Sequence, residues 1–225
     1  RSREIIFLAK RFSEEYSVLS PNKKELNLLD ILQLKRYIDV HNPDVVIHTA
    51  SKGGYIFKDD TFPEVFQPNI QMFENLMKII GDKKVIVYGS GAEFDRRNNI
   101  DEYTEKELFR QWPIDPYGLS KNIIARRSIV DYNNVYILRL FGCFGQGEYS
   151  YRFIKKAIMN LKDNKPIEIY HNKYMDFFSI DDLFTVTKHV IDNSPAIKNI
   201  NLTYDYKYSL LDIANMIYKQ IDNKI

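Results

Sequence analysis

The clearest structural signal in the sequence is Lys84-Val85-Ile86-Val87-Tyr88, which runs directly into Gly89-Ser90-Gly91. The apolar, β-branched run is typical of a buried strand of a parallel sheet, and the glycines after it predict a turn. Asp44–His48 and Val135–Arg139 carry similar runs. Helical patterns separate the three runs, so the sequence predicts βαβ units with right-handed crossovers. The expected fold class is α/β, with a Rossmann-like, doubly wound parallel sheet.

Apolar periodicity places the other elements along the chain. It predicts helices near 3–15, 30–41, 64–80, 116–132, 150–161, 181–193 and 209–221. It predicts further short strands at Tyr16–Leu19 and near 167–170, 176–179 and 199–202. No linker rich in Gly, Pro or Ser divides the chain, so we expect one domain, with a small lobe near its C-terminal end.

Composition excludes several classes of function. The net charge of +2 gives no electrostatic case for nucleic acid or an acidic membrane surface. No apolar run approaches the ~20 residues of a membrane span, and no signal peptide is visible. The single Cys143 forms no internal disulfide and fits a reducing, cytoplasmic compartment. The four His residues are scattered without ligand spacing, so no metal site is expected.

Tyr117 and Lys121 form the candidate catalytic pair. Four residues apart on a predicted helix, they lie on one face, where an ammonium group lowers the pKa of a nearby phenol. Such a phenol can exchange a proton with a hydroxyl or carbonyl oxygen. Tyr151 and Lys155 share the spacing, but only Tyr117 follows a strand that ends in a serine, Ser90. Ligands of open parallel sheets bind beyond the carboxyl ends of the strands, which favours the Tyr117 pair.

Five segments, in order, resemble one family. They are Asn27–Asp30, Pro43–Ala50, Asn69, Ser90 with Tyr117 and Lys121, and Leu138–Gly142 followed by Asp176–Leu183. In them the sequence resembles the extended short-chain dehydrogenase/reductase family, the NAD(P)-dependent epimerases, dehydratases and reductases of nucleotide sugars. The resemblance runs from about residue 3 to the end of the chain.

The resemblance implies a role for each matching residue. Tyr117 would be the general acid/base, Lys121 would lower its pKa and hold the nicotinamide ribose, and Ser90 would bond the reacting oxygen. Residues implied to line the NAD or NADP site, with Tyr117 and Lys121, are Asn27, Leu28, Thr49, Ala50, Ser51, Asn69, Leu140, Phe141 and Gly142. Residues expected beside the nucleotide-sugar substrate are Ser90, Gly91, Ala92, Arg152 and Lys173.

Departures from the family pattern narrow the range of expected reactions and cofactors. No glycine-rich pyrophosphate turn precedes the first helix, so we expect the sequence to start after the family's first strand. Lys23 and Lys24 stand where NAD-specific members carry an acid, and they are either NADP ligands or plain turn lysines. Gly91 and Ala92 replace the Asp-Glu of 4,6-dehydratases, and Ala92 also replaces the Cys of 3,5-epimerase/reductases. Glu93 and Asp95 are expected on a surface loop.

The sequence therefore predicts an NAD(P)-dependent 4-epimerase or 4-ketoreductase of a nucleotide-linked sugar. The alternatives are a non-catalytic dinucleotide-binding sensor or scaffold of the same fold, and a nucleotide-sugar dehydratase. The expected cofactor domain is 1–145, with 176–202 returning to it, and the expected substrate lobe is 146–175 with 203–225. The resemblance also implies a homodimer through the Tyr117 helix and its neighbour.

Overall fold

The computed structural model describes residues 3–54, 60–95, 97 and 102–222. The chain divides into two compact units. The sheet unit consists of Leu19–Leu140 and Val186–Asn201, and the second unit, called the C-terminal unit here, consists of Arg1–Val18, Phe141–Thr185 and Leu202–Ile225.

The described elements alternate largely as the sequence predicts. The helices are α1 Arg3–Phe12, α2 Ile31–His41, α3 Gln67–Ile80, α4 Pro116–Val130, α5 Phe153–Lys162, α6 Ile180–Asn193 and α7 Leu210–Asp222. The strands are β1 Val45–His48, β2 Lys84–Ser90, β3 Val135–Leu140, β4 Cys143–Phe144, β5 Phe178–Ser179 and β6 Asn199–Leu202.

The sheet unit is built on a four-stranded sheet of order β1-β2-β3-β6. β1 pairs with β2 and β2 with β3, both in parallel, so their carboxyl ends share one edge. In that register Ser90, the last residue of β2, lies opposite Leu140, the last residue of β3. The α/β class with a parallel sheet is confirmed.

The core of the sheet unit lies between strands and helices. The apolar faces of α2, α3 and α4 pack there with the inward residues of β2 and β3, among them Leu34, Phe73, Val85, Val87, Ile124 and Val135. Asp30 caps α2 by accepting bonds from Leu32 N and Gln33 N, both at 3.0 Å. A π-helical turn, Phe62–Phe66, leads into α3, and Pro68 is the second residue of that helix, where a proline is tolerated.

Tyr16–Leu19 is not a strand, contrary to the sequence prediction. A strand needs a neighbour to satisfy its backbone N–H and C=O groups. The segment joins none of the strands in the described sheets, and Tyr16 N donates instead to Phe12 O at 2.9 Å, just after the end of α1. Strand formation depends on such pairing, which a local sequence pattern does not supply.

The C-terminal unit contains α1, α5, α7 and the short parallel pair β4–β5. Phe12 of α1 packs on Phe184, with ring centroids 4.7 Å apart. The strand predicted near 167–170 is absent from the described fold. Pairing occurs further on instead, where Leu210 N donates to Lys173 O at 3.0 Å and Met175 N to Tyr208 O at 3.3 Å. Among the described residues no helix combines the length and apolarity needed to cross a membrane.

Candidate active site

Ser90 ends β2 and opens a tight 3-10 turn over Gly91–Glu93. Its Oγ accepts a bond from Ala92 N at 3.2 Å, and its own backbone N donates to Glu93 Oε1 at 2.8 Å. These reciprocal bonds form a capping box, which satisfies donors that a short helix leaves open. The turn therefore fixes the backbone of the serine at the carboxyl edge of the sheet.

Tyr117 and Lys121 lie one turn apart at the start of α4. Pro116 is the first helical residue, and Asp115 caps the helix by accepting a bond from Gly118 N at 2.8 Å. Lys121 is 7% exposed, and its Nζ donates to the backbone oxygen of Tyr88 at 2.6 Å. The ammonium group is thereby anchored to β2, two residues before Ser90.

Close packing brings the Ser90 turn against the first turn of α4. A Cβ at Gly118 would lie 2.5 Å from the carbonyl oxygen of Ala92, so only glycine permits this approach. Asn122 Nδ2 adds a bond to the carbonyl oxygen of Glu93 at 2.7 Å. The structure thus places the segments that carry Ser90, Tyr117 and Lys121 side by side.

Asn69 ties the loop after β1 to the same helix. Its side chain accepts a bond from Lys52 N at 2.7 Å and donates to Lys52 O at 3.0 Å. It also donates to Ser120 Oγ at 3.0 Å, and only 1% of Asn69 is exposed. The Gly54 backbone held by this loop lies against the Tyr117 ring, which an added Cβ would approach to 3.1 Å. Asn69 therefore supports the walls around the tyrosine.

His48, at the end of β1, is buried beside this helix. Burial lowers its pKa to about 3, and the positive charge of Lys121 lowers it in the same direction. The imidazole is consequently neutral throughout the physiological range. It adds no second positive charge beside Lys121.

The other cofactor candidates of the sheet unit follow its strands or open its helices. Thr49, Ala50 and Ser51 come directly after β1, with Thr49 and Ala50 partly buried and Ser51 exposed. Asn27 accepts a bond from Leu29 N at 3.2 Å, and Leu28 O accepts one from Asn75 Nδ2 at 2.9 Å. These residues present hydroxyl and amide groups of the kind that bind ribose and adenine.

The lysines that bear on cofactor choice lie in a turn before α2. Asn22 Oδ1 accepts bonds from Lys24 N at 2.8 Å and Glu25 N at 3.3 Å, which closes the turn. Lys23 and Lys24 are exposed on it. The turn geometry is consistent with both of their predicted roles.

Four candidate residues belong to the C-terminal unit. Phe141 and Gly142 precede β4, where Gly142 O accepts a bond from Phe178 N at 2.8 Å. Arg152 caps α5 and donates from Nη1 to Cys143 O at 3.2 Å. Lys173 lines a pocket of about 220 Å³ with Phe153, Tyr170 and Leu210. This unit therefore offers a cationic and aromatic surface of its own.

Cys143 and Glu148 are the most perturbed groups beside Arg152. Burial raises the pKa of the Cys143 thiol to about 12, and the negative charge of Glu4 raises it further. Burial also raises the pKa of Glu148 to about 7, against the opposing effect of Arg152. The thiol therefore stays protonated, and Cys143 is partly buried.

The surface-loop expectation for Glu93 and Asp95 is wrong. Glu93 is 1% exposed and Asp95 5% exposed. Glu93 Oε2 accepts a bond from Arg139 Nε at 2.5 Å, so both of its carboxylate oxygens are engaged. Asp95 Oδ1 accepts from Arg97 Nε at 2.9 Å. Two sequence signals could have revealed Glu93: the Ser-x-x-Glu capping pattern, and an arginine inside the apolar strand β3.

Comparison with known proteins agrees with this geometry. The model of the NAD dependent epimerase/dehydratase family matches residues 2–203. A GDP-L-colitose synthase of Yersinia pseudotuberculosis is 23% identical over 242 residues, which cover 96% of this chain and 78% of the relative.

Two solved structures from Campylobacter jejuni show the same fold. GDP-mannoheptose C4 reductase with NADP bound has a TM-score of 0.81 at 17% identity, covering 99% of this chain and 82% of that one. GDP-D-glycero-L-gluco-heptose synthase, solved in the presence of NADPH, has a TM-score of 0.80 at 15% identity, covering 98% and 82%. The resemblance seen in the sequence is confirmed: the chain belongs to the NAD dependent epimerase/dehydratase family.

Proposed function

We propose that this protein is an NAD(P)-dependent 4-epimerase or 4-ketoreductase of a nucleotide-linked sugar. The observation that carries the proposal is the packing of the Ser90 turn against α4, with Lys121 Nζ anchored to Tyr88 O at 2.6 Å. A protein that only binds a dinucleotide does not require a lysine one turn from a tyrosine beside a serine. Family membership and the relatives named above support the substrate class.

The residues present fit the nicotinamide end of the cofactor by the chemistry of their groups. A hydroxyl at Thr49, the phenol of Tyr117 and the ammonium of Lys121 suit a ribose and a reacting oxygen. Asn69 supports the loop beside them through its bonds to Lys52. When bound, the cofactor supplies or accepts the hydride, which is chemistry that no side chain provides.

The chain's own residues transfer the proton and orient the sugar. Tyr117 exchanges a proton with the oxygen at C4 of the sugar, and Ser90 donates a hydrogen bond to that oxygen. Lys121 favours the phenolate electrostatically, so Tyr117 can alternate between base and acid. Gly91 and Ala92 place no ionisable side chain beside the reacting carbon. We assign Arg152 and Lys173 to the nucleotide diphosphate as cations.

A dehydratase is disfavoured by the state of the nearest carboxylate. Elimination of water needs an acid and a base in addition to the tyrosine. Gly91 and Ala92 carry neither group, and Glu93 accepts bonds from Ser90 N and Arg139 Nε. Glu93 is thus committed to structural contacts.

The remaining proposals concern the domain boundaries, the oligomeric state and the location of the protein. We retain the division into a cofactor domain (1–145 with 176–202) and a substrate lobe (146–175 with 203–225). Grouping of Val186–Asn201 with the sheet supports it. Grouping of Arg1–Val18 and of Phe141–Thr185 with the C-terminal segments differs from it, because the second range includes 141–145 and 176–185. We also propose a cytoplasmic homodimer through α4 and its neighbour. The exposed Val130 near the end of α4, at 71%, supports such a contact, which analytical ultracentrifugation tests.

The deciding experiment measures turnover of the purified full-length protein. NADPH or NADH is mixed with GDP-, UDP- or dTDP-linked 4-keto sugars, and loss of the reduced nicotinamide is followed by absorbance. Epimerisation is followed by NMR of the parent nucleotide sugars with NAD⁺ added. Tyr117→Phe should lower kcat at least ~100-fold, whereas the matched variant Tyr151→Phe should not. Cofactor binding with no turnover on any sugar would favour the sensor or scaffold, and undiminished turnover of Tyr117→Phe would remove the proposed mechanism.

A further inference from the structure

Glu93 is a fully buried carboxylate directly behind the candidate catalytic serine. It is 1% exposed, and its two oxygens are divided between two partners. Oε1 accepts the bond from Ser90 N at 2.8 Å, and Oε2 accepts the bond from Arg139 Nε at 2.5 Å. One side chain therefore connects the backbone of Ser90 to the neighbouring strand β3.

Arg139 is itself immobilised by further contacts. It is 0% exposed. Its Nη1 donates to Asn201 Oδ1 at 2.7 Å and its Nη2 to Asn199 Oδ1 at 2.9 Å, both in β6. Its guanidinium also lies 5.2 Å from the centre of the Phe94 ring. The position of the Glu93 carboxylate is therefore set by two strands at once.

The same carboxylate-bearing turn is bonded to the helix of Tyr117 and Lys121. Asn122, adjacent to Lys121 and 0% exposed, donates from Nδ2 to Glu93 O at 2.7 Å. Space for the carboxylate comes from Gly89, where a Cβ would lie 2.6 Å from Glu93 Oε1. The buried network thus joins strands β3 and β6, the Ser90 turn and α4.

Stability alone does not account for this arrangement. Desolvating two charges costs about as much as their attraction returns, and an apolar pair of similar volume often folds equally well. The network does, however, fix the Ser90 backbone relative to α4. Displacement of a reacting group by ~1 Å can lower a rate by ~100-fold.

We propose that Glu93 is a positioning residue which, with Arg139 and Asn122, holds Ser90 in register with Tyr117 and Lys121. This inference rests on the proposed function, because it concerns the reaction that the three residues carry out. Glu93 acts through the Ser90 backbone and takes no part in proton transfer.

A double-mutant cycle tests the connection between Glu93 and Ser90. Glu93→Gln is measured in the wild-type and in the Ser90→Ala background, with NADPH and a nucleotide-linked 4-keto sugar that wild type reduces. The Gln variant should lower kcat ~10- to 100-fold in wild type but no more than ~3-fold once the Ser90 hydroxyl is gone. If the fold-losses in kcat of the two single variants simply multiply in the double variant, the proposal is overturned, because independent losses indicate a general structural effect.

A second variant distinguishes loss of positioning from loss of folding. Glu93→Leu combined with Arg139→Met removes both charges, and its melting temperature should stay within a few degrees of wild type. Its kcat should still fall, because Ser90 N has lost its acceptor. Glu74→Gln is the matched control, since Glu74 is ion-paired with Arg127 in the same unit. A folded Leu/Met variant with wild-type kcat would overturn the proposal.

Hydrogen–deuterium exchange separates this proposal from the proposed function. It is read on the peptide containing Ser90–Phe94 in the full chain without substrate. Exchange should be slow in wild type and Glu74→Gln, and faster in the Leu/Met variant. If the wild-type protein turns over no nucleotide sugar, the proposed function is wrong. The exchange rates alone then decide whether Glu93 fixes the Ser90 backbone. Equal exchange in all three proteins overturns the positioning role whatever the activity.

Discussion

Lys121 Nζ donates a 2.6 Å hydrogen bond to the backbone carbonyl of Tyr88, so the helix that carries Tyr117 is attached to the strand that ends in Ser90. The bond holds the ammonium group at 7% exposure, where its field on the phenol is less screened by water. A lysine in this position has two consequences that a surface lysine lacks. It attaches α4 to β2, and it keeps its ammonium group largely out of water.

Lys121→Met should therefore reduce kcat by at least ~100-fold, because proton exchange at Tyr117 loses its electrostatic support. The control is Lys155→Met, since Lys155 is also four residues after a tyrosine but lies on the exposed surface of α5. Steady-state kinetics over a pH series measures both variants. Equal losses for the two would show that the spacing itself carries no function.

The sequence predicted the strand and the helix that carry Ser90, Tyr117 and Lys121 because both elements depend on local patterns. β-branched runs gave β1, β2 and β3, and the four-residue spacing gave the shared face of α4. Two features needed information from distant residues. Tyr16–Leu19 has the pattern of a strand but joins no strand of the described sheets, and the buried Glu93 carboxylate is paired with Arg139, 46 residues later in the chain. Pairing and buried charge depend on tertiary contacts, which a local window does not contain.

Gly118→Ala should destabilise the protein, even though alanine favours helices over glycine by about 1 kcal/mol. The added Cβ would lie 2.5 Å from Ala92 O, so α4 and the Ser90 turn must separate. We expect a net loss of about 1–3 kcal/mol in the free energy of unfolding, together with a lower kcat. Urea denaturation and steady-state kinetics measure the two effects. A variant more stable than wild type would show that the close approach is not required.

His48 should make the sheet unit sensitive to acid. Its folded pKa is lowered to about 3 by burial and by Lys121, whereas the unfolded side chain titrates near ~6.5. Between these values only the unfolded chain binds the proton, so stability falls as the pH drops below ~6.5 and is about 2 kcal/mol lower at pH 5. His48→Gln should remove this slope.

The slope is measured by urea unfolding at pH 7 and pH 5. His41→Gln serves as the control, because His41 is exposed in α2 and should leave the acid slope of wild type nearly unchanged. The comparison uses the difference between the two pH values, so a constant cost of the substitution cancels. Parallel pH curves for wild type and His48→Gln would contradict the burial of a neutral imidazole.

Glu148, in the C-terminal unit, should have the opposite pH dependence to His48: it should destabilise the folded state as the pH rises. Burial raises its folded pKa to about 7, with Arg152 opposing and Glu4 reinforcing the rise. In the unfolded chain the carboxyl loses its proton near ~4.3. As the pH rises from there to 7, the folded state therefore loses stability relative to the unfolded state. This destabilisation of the folded state is absent in acid, grows through this window and levels off above pH 7 at no more than about 4 kcal/mol.

Glu148→Gln should therefore raise the melting temperature at pH 8 more than at pH 5. The amide keeps an acceptor oxygen but cannot ionise, so it avoids a buried charge whose Oε1 has no hydrogen-bond partner in the described structure. Glu168→Gln is the control, because Glu168 is exposed and ion-paired with Lys156 at 3.0 Å. Calorimetry at both pH values measures the three proteins. An equal gain at pH 5 and pH 8 would show that the stabilisation comes from packing and not from the removed titration.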